Sequence, residues 1–495
     1  MKFAPLLIVL PLIAAPLCVL IRHRTIVRVL ATATTWACLG IALHLLSLVG
    51  QLPVGETTLT YALGGWHPSV GIEYSIDALN AFVLVIVSMI AAVVLPVGPG
   101  TAADAIPKDK EYLFYTAFLL CLTGLMGITI TGDAFNVFVF LEITSLSSYT
   151  LIALGKGRKA LTAAFTYLIM GTIGGTFLLL GIGLMYQLTG SLNMAVIQEV
   201  LAGIDPTNKT KVVAFGFLFT GSAIKLAIFP LHQWLPNAYT HAPSTISAFL
   251  AATATKVSFY VMVRFSFFLF GSAYVFDYLQ ADRLLMPLAI AAIFVGSAAA
   301  IFQGDVKRLL AYSSIAQIGY MVLGFSLNSV TGLTGSIVHL FNHALMKGGL
   351  FLVVACVVHR IGSSQVQDWK GLGQRMPITM GAFVVGGLGL IGVPVTVGFV
   401  SKWYLVLGAI EQGRFVVAAL VLIGSLLAVI YIWRIVETVF FQAPPEGSER
   451  CEAPLFMLLP TFILLGASIW FGIDTEMTAG FARAAAEIAL PGVMP

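Results

Sequence analysis

Three titratable side chains stand four residues apart in the stretch His339-Leu-Phe-Asn-His343-Ala-Leu-Met-Lys347. On an α-helix rising about 1.5 Å per residue, that spacing stacks them on one face, with about 6 Å between successive Cα levels. Imidazoles and an amine so placed suit proton transfer through bridging water. Two histidines at i, i+4 also make half of a metal site, but the lysine disfavours a cation and the sequence positions no third protein ligand. A pair of polar core histidines with no transfer role is the third reading. Glu142, Lys225, Lys256 and Lys402 likewise lie deep inside apolar runs. Each of these four and Lys347 costs on the order of 2.5 to 3.5 kcal/mol as a charge at mid-membrane. Together they approach about 15 kcal/mol, comparable to the whole stability of a typical domain. One such lysine is explained by snorkelling or pairing; four, alternating with histidines and a glutamate, point to function. Glu142 and Glu437 are the acids deep in the apolar runs. A small movement of a carboxylate beside a buried lysine captures or releases a proton, which makes Glu142 the natural modulator.

The elements that position these groups must be membrane helices. Of 495 residues, 59% are hydrophobic and 10% charged, against roughly a quarter charged in soluble domains. The net charge of +4 does not describe a nucleic-acid patch, because the basic residues are dispersed in short loops between apolar runs. Stretches near ~20 apolar residues fall at roughly 4–21, 26–50, 76–98, 111–130, 134–155, 161–188, 211–239, 245–271, 284–303, 309–328, 333–358, 380–410, 415–440 and 454–473. If Arg22, Arg24 and Arg28 are cytoplasmic, alternate loops gather Lys108, Lys110, Lys156, Arg158, Lys159, Lys307, Arg308, Arg360, Lys370, Arg375 and Arg450. The other side holds only Lys2, Lys209, Lys211, Arg283, Arg414 and Arg483. This bias predicts both termini outside. The N-terminal apolar stretch lacks a convincing cleavage site and is read as a retained helix. Cys18, Cys38, Cys121, Cys356 and Cys451 are scattered and form no C-x-x-C pair, so neither an iron-sulfur ligand set nor a disulfide framework is expected. The glycine-rich stretches 171–175 and 386–392 lack the context of nucleotide loops and fit close helix packing.

Other ionisable residues within the spans have structural readings. Arg264 is expected to snorkel, Arg434 and Glu437 to pair at i, i+3, and Asp77 to start a helix. Spans 4 to 8 and 9 to 13 form two five-helix units that begin on opposite sides, the condition for an inverted repeat. The fourth span of each unit is interrupted. Lys225 precedes Pro230 in one, and Lys402 follows Gly392 and Pro394 in the other. Interrupted helices in corresponding places point to a transport path.

The segments Thr131-Gly-Asp133-Ala-Phe-Asn to Glu142, Lys225-Leu-Ala-Ile-Phe-Pro230-Leu-His-Gln-Trp-Leu-Pro236, His241-Ala-Pro-Ser, Lys256-Val and His339 to Lys347 resemble the antiporter-like subunits shared by Mrp-type cation/proton antiporters, respiratory complex I and membrane-bound hydrogenases. The resemblance implies an all-α integral membrane fold of about 14 transmembrane helices with two inverted five-helix repeats. It places three N-terminal helices in 1–100, the first translocating unit in 101–275, the second in 276–442, and a last helix with a short tail in 443–495. It assigns Glu142 and Lys225 as a coupled ion pair and Lys256 as the link. His339, His343 and Lys347 become the second relay, and Lys402 the terminal carrier. The chain is most similar to the Mrp D type. The pattern around Asp133 and the run Met170 to Phe177 lean that way, while the lysine at 402 is similar to the Mrp D subunit, the complex I N subunit and hydrogenase relatives alike. In one respect it departs from symmetry: span 10 has Gln317 and no acid where span 5 has Glu142. The implied function is that of a membrane subunit of a multisubunit antiporter exchanging protons for a monovalent cation, expected to be Na+, in a bacterial or archaeal cytoplasmic membrane. The alternative is a proton-pumping subunit of a redox complex. Neither requires a cofactor in this chain, and the expected partners are other membrane subunits, protons, a monovalent cation and lipid.

Overall fold

The structure, a computed structural model, describes residues 3–53, 56–68, 70–98, 106, 108–447 and 449–491. Apolar runs in lipid become helices because a helix satisfies its own backbone donors and acceptors. The helices are α1 (Leu6–Ile21), α2 (Arg24–Val49), α3 (Ala78–Val94), α4 (Glu111–Ile130), α5 (Ala134–Ala153), α6 (Arg158–Thr189), α7 (Met194–Ala202), α8 (Lys209–Leu226), α9 (Trp234–His241) and α10 (Ser244–Val263). They continue with α11 (Ala281–Ile301), α12 (Val306–Ser326), α13 (Val330–Ile361), α14 (Pro377–Ile391), α15 (Val397–Glu411), α16 (Phe415–Phe440), α17 (Leu455–Ile473) and α18 (Glu476–Ala489). Among the described residues, eleven helices are long and apolar enough to cross a membrane, and α1 and α14 are shorter apolar helices. The expected boundary at 100/101 and Lys2 lie outside the described residues.

Helix starts follow local chemistry. Asp77, Asp133, Asn193, Asn208, Asp305 and Ser329 each accept a hydrogen bond from a backbone N–H in the first turn, satisfying donors that the helix leaves unpaired. The helix α13 runs through the centre, buried from Gly332 to Val357. It packs on α3, α10, α12, α14, α15, α17 and α18. By contrast, α6 and α16 turn apolar faces outward, with Leu161, Phe165 and Ile169 exposed on one and Leu422, Leu426 and Trp433 on the other. Such faces suit lipid or a membrane partner.

The halves on either side of residue 280 share particular features. Asp133 caps α5 and bridges to Asn193 beyond α6; Asp305 caps α12 and bridges to Gln365 beyond α13. Both α6 and α13 have 32 residues and end on a left-handed glycine, Gly190 and Gly362. The two caps face opposite sides. Asp133 lies beside the two-stranded hairpin β1 (Leu59–Ala62) and β2 (Glu73–Ile76), since Tyr74 bridges to Thr131. Asp305 lies at the other side, where Lys307 donates to the Ala242 carbonyl after α9 at 2.5 Å. The interrupted spans are also evident. The first breaks between α8 and α9, with Ala227 left-handed, and the second between α14 and α15 around Gly392 (φ 87°). Gly398 must lack a side chain there, because a Cβ would lie 1.9 Å from the Gly389 carbonyl oxygen.

The structure corrects two expectations. Arg264 does not snorkel: its Nη1 donates to Asp77 Oδ2 at 2.6 Å, and its guanidinium lies 4.2 Å from the Phe268 ring centroid. A carboxylate within reach makes a charge-assisted hydrogen bond that holds the guanidinium in place. Arg434 does not pair with Glu437 either. It donates to the carbonyls of Ile301 and Gln303 at 2.6 and 2.8 Å, the orphan acceptors at the end of α11. Asp77 caps α3 as expected, in a reciprocal box with Asn80. The tail beyond the last apolar span is itself the helix α18. Its alanine face, Ala482, Ala485, Ala486 and Ala489, is buried, and it packs on α3 and α13.

Candidate functional site

Glu142 and Lys225 meet across the interface of α5 and α8. Lys225 Nζ lies 3.9 Å from Glu142 Oε1 and donates to Ser145 Oγ at 2.7 Å. The lysine side chain is 5% exposed and the glutamate 30%, so the pair sits at the edge of the core. Ser145 is one helical turn beyond Glu142, and that i, i+3 spacing was its only sequence signal. The wall behind the pair is α6. A Cβ on Gly175 would lie 2.4 Å from Glu142 Oε1, and one on Gly171 would lie 1.8 Å from the Tyr149 hydroxyl. The glycines expected to serve helix packing therefore also make room for the carboxylate and a phenol. Trp234 at the start of α9 donates to the Ile224 carbonyl at 3.0 Å and stacks on Tyr167 at 4.0 Å, fastening the break beside Lys225.

Lys256 and Lys347 are fully buried on the neighbouring helices α10 and α13. Lys256 Nζ donates to the Ala251 carbonyl at 2.5 Å and to Thr255 Oγ1 at 3.3 Å. Lys347 Nζ donates to the Leu310 carbonyl at 2.7 Å and also to Ser313 Oγ. Both side-chain amines thus rest on neutral acceptors. Among the described residues no ion pair reaches either.

The rings of His339 and His343 stack with centroids 6.1 Å apart, as the four-residue spacing predicts. His339 Nδ1 bonds Ser401 Oγ at 2.8 Å, while His339 Nε2 and both His343 nitrogens meet no protein hydrogen-bond partner among the described residues. Lys402 follows Ser401 directly. Its Nζ donates to the carbonyls of Leu390 and Ile391 at 3.0 and 2.8 Å and lies 5.0 Å from the Tyr320 ring centroid. His339 approaches the same ring at 5.7 Å, so Tyr320 packs between His339 and Lys402. Gln317 on α12 is buried, and its Oε1 meets no protein donor among the described residues.

The structure therefore brings together Glu142 with Lys225, and His343 with His339, Ser401 and Lys402. Among the described residues no direct hydrogen bond joins Lys225 to Lys256, or Lys256 to Lys347 or His343. Nor is any group of three or more His, Cys, Asp or Glu arranged to hold a metal. The four cysteines Cys18, Cys38, Cys121 and Cys356 are buried free thiols.

A multi-helix membrane bundle with four lysines and two histidines buried in its interior, and a carboxylate beside one of the lysines, defines a class: membrane proteins built around internal ionisable groups. The chain belongs to the NADH:quinone oxidoreductase/Mrp antiporter transmembrane family, whose model matches residues 131–428. It is 41% identical over 456 residues to NADH-quinone oxidoreductase subunit N of Desulforudis audaxviator, covering 91% of this chain and 89% of that one. It is 28% identical over 493 residues to the D-type Na(+)/H(+) antiporter subunit of Bacillus subtilis, covering 99% and 97%. Among solved structures it resembles a chain of the membrane-bound sulfane sulfur reductase, an archaeal respiratory membrane complex, with a TM-score of 0.90, 29% identity and coverage of 99% and 98%. It shares the fold of a chain of the Mrp complex from Dietzia sp., with a TM-score of 0.88, 23% identity and coverage of 99% and 97%.

Proposed function

We propose that this chain is a proton-translocating membrane subunit of a multisubunit monovalent cation/proton antiporter, with Na+ as the cation. The observation that carries the reading is the 3.9 Å contact between Glu142 and Lys225 at the break between α8 and α9. It places a counter-charge beside Lys225, the first of the four lysines on the proposed path. Protons then pass by way of Lys256, Lys347, His343 and His339 to Lys402. Fourteen spans result if α1 and the two interrupted pairs, α8 with α9 and α14 with α15, each count as one crossing. The oppositely directed caps Asp133 and Asp305 support an inverted repeat of the units 101–275 and 276–442. The membrane is the cytoplasmic membrane of a bacterium or archaeon, with both termini outside. The first described residue supports a common side, since Phe3 packs on His44 at the end of α2, and Phe481 of α18 lies against Gly50.

A second reading, a proton-pumping subunit of a redox complex, is favoured by the 41% identity to a quinone oxidoreductase subunit. Transport by the whole complex in inverted vesicles separates the two. Antiport predicts proton movement that requires Na+ or another monovalent cation and no electron donor. Proton flux that persists without a counter-cation and needs an electron donor would sink it.

A further inference from the structure

On the hairpin side, a cavity of about 390 Å³ opens between the hairpin, the start of α7 and the end of α10. Thr58, Glu73, Ser75 and Gln198 line its walls, together with Asp77 and Arg264. The Asp77 and Arg264 side chains are only 4% and 12% exposed and form the charged groups at its depth. Arg264 is held by four contacts: the carboxylate of Asp77, the phenol oxygen of Tyr260 at 3.2 Å, and the Tyr260 and Phe268 rings.

Beneath the cavity lies the helix that carries Lys256. Lys256, Tyr260 and Arg264 are four residues apart and share one face of α10. About 12 Å separates the Cα atoms of the first and last. Tyr260 fills the turn between them, its hydroxyl donating to the Thr129 carbonyl at 2.9 Å. At Arg264 the helix changes character. Arg264–Leu269 is a π-helical segment, and a second, Ala273–Tyr278, follows the left-handed Gly271. Widened turns of this kind accompany functional places in helices. The ammonium of Lys256 faces away from the cavity, toward Ala251, and a fixed guanidinium between water and core repels cations and protons.

We propose that this cavity is a second aqueous mouth through which Lys256 exchanges protons with the hairpin side, and that Arg264, docked on Asp77, is its plug. The structure has the plug seated and the lysine turned inward. Release of Arg264 opens the Tyr260 turn to water, and rotation of the lysine side chain brings it within reach. The proposal rests on the reading of Lys256 as a proton carrier.

The test is cysteine labelling of the assembled complex in vesicles of known orientation, using a charged, membrane-impermeant methanethiosulfonate. The background is Cys451→Ser, because the other native thiols are buried. Thr58→Cys, exposed at the mouth, marks the hairpin side. Tyr260→Cys should label at least tenfold more slowly than Thr58→Cys while Arg264 is present. Adding Arg264→Gln or Asp77→Asn should raise its rate at least tenfold from the hairpin side, and Arg264→Lys should keep it slow. Asp77→Asn keeps the helix cap, so it carries the test if Arg264→Gln does not assemble. Fast labelling with Arg264 in place, no acceleration on neutralisation, or acceleration only from the opposite side would each overturn the proposal. Labelling reads access and not transport. Normal transport by Lys256→Ala would remove the carrier reading without altering these rates.

Discussion

Glu142→Gln removes one charge from the pair with Lys225 and keeps the shape of the side chain. Two unit charges 3.9 Å apart attract by roughly 4 kcal/mol at an effective dielectric of about 20. The glutamate side chain is 30% exposed, and solvent screening reduces this to about 2 kcal/mol. At about 1.4 kcal/mol per factor of ten, transport should fall roughly thirtyfold. Lys225 keeps its bond to Ser145, so the complex should still assemble. Glu437→Gln is the control. It neutralises an acid on the exposed side of α16, and the neighbouring Arg434 is already bonded to the Ile301 and Gln303 carbonyls. Its transport should stay within about twofold of the parent. The assay is cation-dependent collapse of a pH gradient in inverted vesicles, at matched amounts of complex. Equal transport by the two variants would refute the role of Glu142, and failure of Glu142→Gln to assemble would make the carboxylate a structural group.

Gly175→Ala puts a Cβ 2.4 Å from Glu142 Oε1. It should cost ~1–3 kcal/mol and cut transport, whereas Gly183→Ala on the same helix meets nothing within 4 Å. That second change should raise thermal stability slightly and leave transport intact; equal effects would show that the α6 wall does not shape the site. Lys402→Ala should abolish transport while the complex assembles with its usual partners, as read by vesicle flux and co-purification. The purified chain should show no haem, flavin or iron-sulfur absorbance, since its cysteines are scattered; a stoichiometric chromophore would contradict this.

The apolar runs were legible as helices because lipid leaves the backbone no alternative. The two interruptions were legible from Pro230, Gly392 and Pro394. The stacking of His339 on His343 followed from helix geometry alone. What escaped were contacts that depend on chain folding. Arg264 finds Asp77 across 187 positions, and no local pattern records that. Arg434 stands three residues from an acid yet bonds the end of another helix, because free carbonyls there were closer to its guanidinium than the exposed Glu437. The hairpin, α7 and α18 escaped because each lies outside the apolar runs, where a search for spans does not look. Gly171 and Gly175 were read as packing residues, and only the positions of Tyr149 and Glu142 reveal what the missing side chains accommodate.

The broken end of α14 sets the second half apart from the first. Gly392 donates its N–H to the carbonyls of Leu388 and Gly389, leaving those of Leu390 and Ile391 for Lys402. Backbone carbonyls at a helix end carry partial negative charge, but they never take up a proton. Lys402 therefore has a permanent dipole as its counterweight, whereas Lys225 has a carboxylate that can be neutralised. Proton transfer can remove the charge of the first lysine's partner, whereas the carbonyl dipole beside the second changes only when the helix end moves. On the proposed reading, this asymmetry sets a half whose lysine faces a side chain against a half whose lysine faces the backbone.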